Sequence, residues 1–376
     1  MVVAFVLLLV LLAGGGYAVY TYYTFYHPNI YITSGESAER SSAERSSAEK
    51  SSAERSSAEK SSAEHSSEAE ALYIFVPSGA SFSTLMDSLD AKGCLRHRNA
   101  FIRAAKKENL PERVKGGRYR LTLGMNNKTV VRLFALGLQT PVRMVISGNI
   151  RTVERLAVVL SRSLEADSIS MHQILTNDSL IGAYGFDSTS LFSMVLPNTY
   201  ELYWNTPPEK VLERLHKEYR NWWSDDRQKK AQSIGLTPFQ VATLAAIVQE
   251  ETNYQPEMAT IAGVYMNRLK MGMPLQADPT LKFALRDPTI RRVLNKDTQV
   301  ESPYNTYKYK GLPPGPICVP SIATLEAVLN YQTHNYLYFC ASPDFNGSHR
   351  FAANYSDHLR NARAYQQALT QRGIKR

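Results

Sequence analysis

Two carboxylates stand side by side in "TLAAIVQEETNYQPEMATIAGVYMNRL", residues 243–269: Glu250 and Glu251. A carboxyl kept protonated near neutral pH can serve as a general acid, and as a base once its proton has left. Which of the two suits that work follows from the helix they close. In "GLTPFQVATLAAIVQEETN", Thr237 is a good N-cap, Pro238 fits the first helical position and Gln240 completes a capping box. Leu236 and Val241 occupy the positions of a hydrophobic staple. From a start at Pro238, at about 100° per residue, Val241, Leu244, Ala245, Val248 and Thr252 share one stripe. Glu251 falls at the edge of that stripe beside Ile247. Glu250 points about 180° from Val241, toward expected solvent, and Gln249 lies on the other shoulder. Apolar neighbours disfavour a charged carboxylate, so Glu251 is expected to titrate high. The alternative is that it pairs with Arg268 or another cation at a domain edge.

The segments that follow must surround this helix end. "PEMATIAGVYMNRLKMG" predicts a second helix, with Pro256 at its start, Gly272 past its end, and Ile261, Val264, Tyr265 and Leu269 on its apolar side. After it come "MPLQADPTLKFAL" and "SPYNTYKYKGLPPGPICVPS". The second is a stiff Pro/Gly-rich loop whose Tyr, Asn, Thr and Ser side chains suit sugar recognition.

Upstream lies a smaller folded segment. "ALYIFVPSGASFSTLMDSLDAKGCL" predicts a strand, a Pro-Ser-Gly turn and a helix with Leu85, Met86 and Leu89 inward. "NAFIRAAKKENL" predicts a second helix. "KGGRYRLTLGMNNKTVVRLFALG" predicts a strand at Tyr119–Leu123, a turn at Gly124–Asn127 and a third helix, and "PVRMVIS" another strand. Small units of this kind either bind ligand chains or support a neighbouring domain.

The chain has 376 residues, 44% of them hydrophobic, enough for one large or two ordinary cores. The first 35 residues carry no charge. "VVAFVLLLVLLAGGGYAVYTYYTFY" exceeds the roughly 20 residues a bilayer requires, and Tyr17, Tyr20, Tyr22, Tyr23, Phe25 and Tyr26 crowd its far end like an interfacial belt. The small residues Ala13–Gly16 would suit a cleaved signal peptide, but no basic region precedes them and the apolar run continues past them. Residues 1–26 are therefore expected to be an uncleaved transmembrane anchor, with no flanking charge to orient it.

Residues 36–70 repeat Ser-Ser-Ala-Glu-Arg/Lys every five residues, a period that makes no apolar face. Residues 27–70 are expected to be a solvated linker between membrane and body. The repeat holds 9 acidic and 5 basic residues; with a chain total of +9, residues 71–376 carry +13. A basic body points to an anionic partner, but no Lys/Arg run with interleaved aromatics points to nucleic acid. Cys94, Cys318 and Cys340 show no metal-ligand spacing, so no metal or other cofactor is expected. Cys318 and Cys340 either pair in an oxidising compartment or remain thiols.

The runs "IVQEET", "NRLKMGMPLQADPT", "SPYNTYKYKGLPPGPI", "LPNTYELYW" and "YLYFCASPDFNGSHRFAANYSDHLRNARAY" occur in an order that resembles the MltG-type, YceG-like family of endolytic transglycosylases. The resemblance covers roughly residues 73–370 and implies an α+β fold. Its parts are an N-terminal transmembrane helix, a small LysM-like α+β subdomain at 71–150 and a larger mixed α/β catalytic domain at 151–376. It implies endolytic cleavage of nascent peptidoglycan between MurNAc and GlcNAc, leaving 1,6-anhydroMurNAc ends and helping to terminate strand elongation. The implied partners are glycan strands, peptidoglycan synthases and the membrane. The implied location is the inner (cytoplasmic) membrane, single-pass, with the catalytic domain on the periplasmic side.

Family members read Val-Glu-x-Glu-Thr where this chain reads Val248-Gln249-Glu250-Glu251-Thr252. The first glutamate is replaced, and the second matches Glu251, the implied catalytic residue. By match and chemistry, the implied substrate binders are Asn267, Arg268, Gln276, Asp278, Ser302, Tyr304, Asn305 and Tyr307. Arg268 is alternatively a partner for Glu251 or Asp278, and Asp278 alternatively an N-cap before Pro279. Two other functions stay open: a conventional muramidase using Glu251 with Asp278 or Glu301, and a non-catalytic wall-binding protein.

Overall fold

The computed structural model of the chain describes residues 2–32, 71–286, 293–294 and 296–373, with side chains from Leu9 onward. The repeat expected to act as a linker lies outside the described residues. The described chain forms a mixed α+β protein of two compact units. The first is Met1–Arg143 with Ser163–Glu165 and Glu201–Thr206; the second is Met144–Arg162, Ala166–Tyr200 and Pro207–Arg376. The boundary falls at residues 143 and 144 rather than at 150. Ile150, expected in the first segment, accepts a hydrogen bond from Val319 N (2.8 Å) inside the second unit.

In the first unit, helix α1 (Val2–Thr21) leads into one π-helical turn, Tyr22–Tyr26. Strand β1 (Ala71–Val76) follows, then α2 (Phe82–Ala91), α3 (Arg98–Lys107), β2 (Gly117–Thr122) and α4 (Asn127–Leu136). The two strands pair antiparallel, Ile74 opposite Tyr119 and Val76 opposite Gly117. Leu72, Ile74 and Val76 alternate inward from β1 as a half-buried strand requires. They pack with Leu85, Leu89, Phe101 and Phe134. The short N-cap side chains of Ser81 and Asn126 start α2 and α4. Among the described residues no single helix is long and apolar enough to cross a membrane. Residues 27–32 differ from the expected linker. Asn29 and Ile30 are buried, and Phe25, expected in an exposed aromatic belt, sits in the core of the first unit.

The second unit begins at the end of β3 (Val142–Val145) and continues through α5 (Val153–Ser161), α6 (Ser168–Leu175), α7 (Asp178–Gly182), α8 (Leu191–Met194) and the start of β4 (Thr199–Leu202), whose Glu201 and Leu202 belong to the first. Then come α9 (Pro208–Trp222), α10 (Asp225–Ser233), α11 (Pro238–Glu251), α12 (Met258–Lys270), α13 (Asp278–Leu285) and α14 (Ile322–Leu329). An antiparallel hairpin of β5 (Tyr338–Ala341) and β6 (His349–Ala352) precedes α15 (Tyr355–Gln371).

Helix α11 is the axis of this unit. Its capping box forms as the sequence predicts, with Thr237 Oγ1 accepting from Gln240 N (3.2 Å) and Gln240 Oε1 accepting from Thr237 N (2.9 Å). The expected single apolar stripe does not hold, because every residue from Val241 to Val248 is buried. A helix that is apolar all round is enclosed on all sides. The one polar group in that run, Thr243 Oγ1, donates to Phe239 O at 3.0 Å. Ile261, Tyr265, Leu325 and Val328 from α12 and α14 share the core around it.

Candidate active site

Helix α11 ends at Glu251, and Thr252 turns the chain into extended backbone (φ −146°, ψ 141°). Glu251 thus projects from the last turn of a buried rod. Tyr265, two turns into α12 and 1% exposed, donates its hydroxyl to Glu251 Oε1 at 2.7 Å. Its ring meets Phe339 edge-on at 6.0 Å between centroids. Burial pushes the Glu251 carboxyl up to about 7; the Tyr265 hydrogen bond opposes this, Asp278 adds to it, and Lys282 and Arg268 oppose it. Burial, and then the neighbouring Glu251, push the Tyr265 hydroxyl well above its ordinary value, so it stays a donor. The acid is therefore half protonated near neutral pH and holds one oxygen in a fixed hydrogen bond.

Asp278 opens α13, where Ala277 rather than Asp278 is the N-cap. Its Oδ1 accepts a hydrogen bond from the Tyr307 hydroxyl. Burial and the Asp278 contact raise the Tyr307 hydroxyl, and Glu251 contributes to the same shift. Glu251, Tyr265, Asp278, Tyr307 and Lys282 therefore make one electrostatic group drawn from α11, α12, α13 and the Tyr-rich loop. The loop's fold holds Tyr307 there. Asn305 is fully buried; its amide donates to Thr298 O (2.9 Å) and Val300 O (2.8 Å), and its carbonyl accepts from Tyr307 N (3.0 Å). Thr306 Oγ1 accepts from Ala277 N at 3.0 Å, and Thr306 O accepts from Gln276 N at 3.0 Å.

The remaining candidates divide by what their polar atoms touch. Arg268 is 7% exposed and donates to Leu337 O (2.7 Å) and Leu275 O (2.6 Å). Asn267 donates to His334 O (2.8 Å) and Tyr336 O (3.0 Å). With Asn305, these residues direct their donors at backbone carbonyls. Tyr304 packs against Phe283 with the rings tilted, 4.7 Å between centroids, and is half-buried. Ser302 Oγ accepts from Tyr304 N at 3.2 Å. Gln276 is exposed and stands in the left-handed region at φ 51°, presenting its side chain outward.

Glu250 differs most from expectation. Its side chain is 10% exposed, not solvated: it takes a bidentate pair of hydrogen bonds from Arg151 (3.0 and 2.5 Å) and one from Asn149 Nδ2 (2.9 Å). The helix phase placed it opposite Val241, but chain from residues 149–151 covers that face. Gln249 bridges the other way, with Oε1 accepting from Ser321 N (2.6 Å) and Nε2 donating to Val319 O (3.2 Å). Cys94 and Cys318 are buried and Cys340 half-buried, and among the described residues the three form no disulfide. Among the described residues, no group of three His, Cys, Asp or Glu side chains is placed to hold a metal ion.

Sequence reasoning assigned Tyr265 only to an apolar face, and it passed over Lys282, Asn149 and Arg151. For Tyr265 the available signal was its hydroxyl on an otherwise apolar stripe, where a phenylalanine would have packed as well. Arg151 and Asn149 gave no such signal, since they lie about a hundred residues from Glu250.

Fold and site together define an α+β protein centred on one buried helix, with an elevated-pKa glutamic acid at its end and an aromatic, amide-rich loop beside it. The chain belongs to the YceG-like family, whose family model matches residues 74–364. It is 34% identical over 154 residues to a protein of Bacillus subtilis named endolytic murein transglycosylase, covering 41% of this chain and 42% of that one. A protein of the same name from Streptococcus pneumoniae serotype 2 is 25% identical over 320 residues, covering 76% of this chain and 57% of the other. The chain thus spans about half the length of the curated relatives it matches. The crystal structure of a yceG-like protein from Listeria monocytogenes superposes with a TM-score of 0.49 at 25% identity, covering 77% of this chain and 98% of that one.

Proposed function

We propose that this protein is a membrane-anchored endolytic murein transglycosylase. It would cut nascent glycan strands between MurNAc and GlcNAc and leave 1,6-anhydroMurNAc ends, helping to end strand elongation. The observation that carries this reading is Glu251, a carboxyl pushed up to about 7 by burial and held by Tyr265. The names of the relatives support it. Hydrolysis by either stereochemical course usually takes two carboxylates; a lytic cut can proceed with one. Glu251 gives its proton to the glycosidic oxygen as the C1–O4 bond breaks. The C6 hydroxyl of the same muramyl residue closes on C1, and its proton passes to the Glu251 carboxylate. No water is consumed and the acid is regenerated. The tether between C6 and C1 removes most of the entropy cost of bringing in a nucleophile.

Asp278, Tyr307, Gln276, Ser302 and Tyr304 line the substrate side in this reading, while Asn267, Arg268 and Asn305 hold the frame. The first unit would be the LysM-like part, and α1 the single-pass anchor in the inner membrane, with the second unit on the periplasmic side near the synthases. A muramidase is the second reading, favoured by the action of Asp278 on Glu251. Glu301 is drawn instead to Lys308 and Tyr309. Mass spectrometry of digested strands separates the readings: anhydro ends are expected, reducing ends would mean hydrolysis, and intact strands would mean binding alone.

A further inference from the structure

The chain from Tyr22 to Ile32 is built into the first unit. Phe25 is 6% exposed and Ile30 3%. Asn29 and Asn127, both buried, are joined by a 2.6 Å hydrogen bond, and the Asn127 amide also donates to Thr24 O at 2.8 Å. Asn29 N and Ile30 N both donate to Met125 O, at 3.0 and 3.1 Å, and Arg96 N donates to Asn29 O at 2.9 Å. Buried polar groups satisfied in this way resist displacement. Helix α1 therefore leaves the first unit from a fixed seat rather than on a tether. Ile32 and Ala71, the described residues that flank 33–70, both belong to the first unit, and Ala71 opens β1.

Two cations ring the exit. Lys107 Nζ stands 5.8 Å from the ring centroid of Tyr17 and 5.3 Å from that of Phe25. Lys128 Nζ lies 5.1 Å over the ring of Tyr26 and 3.2 Å from its hydroxyl. Tyr17, Tyr20, Tyr22, Tyr23 and Tyr26 are exposed around them. The charge is concentrated in the same unit. Residues 71–143 hold 13 Lys and Arg against 4 Asp and Glu, so +9 of the +13 on residues 71–376 lies there.

We propose that this collar seats the first unit on an anionic bilayer surface, with Lys107 and Lys128 at the level of acidic phospholipid headgroups. The proposal rests on the reading of α1 as a membrane anchor. Exposed tyrosines suit the interface, and Lys107 and Lys128 beside them, in a unit of net positive charge, gain from the negative surface potential.

The test uses the full chain, floated with vesicles of phosphatidylcholine alone or of phosphatidylcholine mixed with phosphatidylglycerol. A water-soluble amine-acylating reagent then reports each lysine by mass spectrometry. Lys107 and Lys128 should react about fivefold more slowly or less on the phosphatidylglycerol vesicles, an effect erased by high salt. Lys229, exposed in the second unit, should react alike on both. Equal labelling of Lys107 and Lys128, with the protein floating on both vesicles, overturns the headgroup seat and leaves the anchor standing. Failure to float with phosphatidylcholine overturns the anchor and, with it, the proposal. Protection of the two lysines by soluble murein strands, in place of protection by phosphatidylglycerol, overturns the lipid assignment and gives the collar to the glycan. In the Lys107→Gln/Lys128→Gln variant, protection of the adjacent Lys106 should fall; unchanged protection there means another face meets the lipid and overturns the proposal.

Discussion

In the proposed reaction Glu251 can give its proton only while it holds one, so the sign of the expected pH dependence is fixed. Its carboxyl is protonated below about pH 7 and ionised above it. The rate of strand cleavage should fall as pH rises through 7, read as an alkaline limb in kcat/KM. Tyr265→Phe removes a hydrogen bond that favours the carboxylate, so that limb should move to higher pH; an unmoved limb would mean Tyr265 only packs. Glu251→Gln should cost about 10² to 10⁴ in rate while strands still bind. The same substitution bears on stability. The folded protein keeps this proton up to about pH 7, whereas an unperturbed carboxyl releases it near 4.5. Between those values the folded state binds more protons than the unfolded one, so stability falls as pH rises. At pH 8, Glu251→Gln should therefore be more stable than the parent by about 3 kcal/mol, seen as a raised midpoint in urea. Glu250→Gln acts in the other sense. It breaks the bidentate pair with Arg151, and because Glu250 is 10% exposed, a loss of about 1–2 kcal/mol is expected, with little change in rate per folded molecule.

At the scale of elements, close approach sets the tolerances. Gly263 lies inside α12, where alanine ordinarily adds stability. Here a Cβ would stand 2.3 Å from Gln332 O and 2.6 Å from His334 Nε2, so Gly263→Ala should destabilise by about 2 kcal/mol or more, measured by thermal melting. What sequence could show of these elements was what is local. The capping box of Thr237 and Gln240 is a contact across three residues, so the start of α11 was legible to the residue. Whether α11 has one apolar face or none depends on α12, α14 and residues 149–151 arriving around it, which its own periodicity does not encode. That is why Glu251 was singled out while Glu250 was placed on the wrong kind of surface. Asn267 and Arg268 stand out as polar residues closing an apolar helix, but their acceptors lie at His334, Tyr336 and Leu337, near seventy residues downstream. Tyr307 and Asp278 likewise meet only through the fold.

For the whole molecule, the seat of residues 22–32 changes what the repeat can be. Ile32 and Ala71, the described residues on either side of it, belong to one unit, and the length of a connection enters stability only logarithmically. Removing Ser41–Glu64 should change the unfolding free energy by less than about 1 kcal/mol and leave cleavage by the purified protein nearly unchanged. A collapse of either would show that the repeat is part of the fold.

One feature near the acid sets how the protein opens rather than how it reacts. The carbonyls of His334, Tyr336 and Leu337 are taken by two adjacent residues of α12, while Gln332 N donates to Ala259 O at 3.0 Å and its Oε1 accepts from Thr260 Oγ1 at 2.6 Å. Contacts gathered on one helix in this way are lost together or not at all, as a single cooperative unit of local unfolding. Amides of α12 and of the β5–β6 hairpin should therefore exchange with deuterium in one rate class. The same event parts Phe339 from Tyr265, the residue that donates to Glu251. On the proposed mechanism, a protease cut between Gln332 and Leu337 should lower strand cleavage although it lies some eighty residues from Glu251.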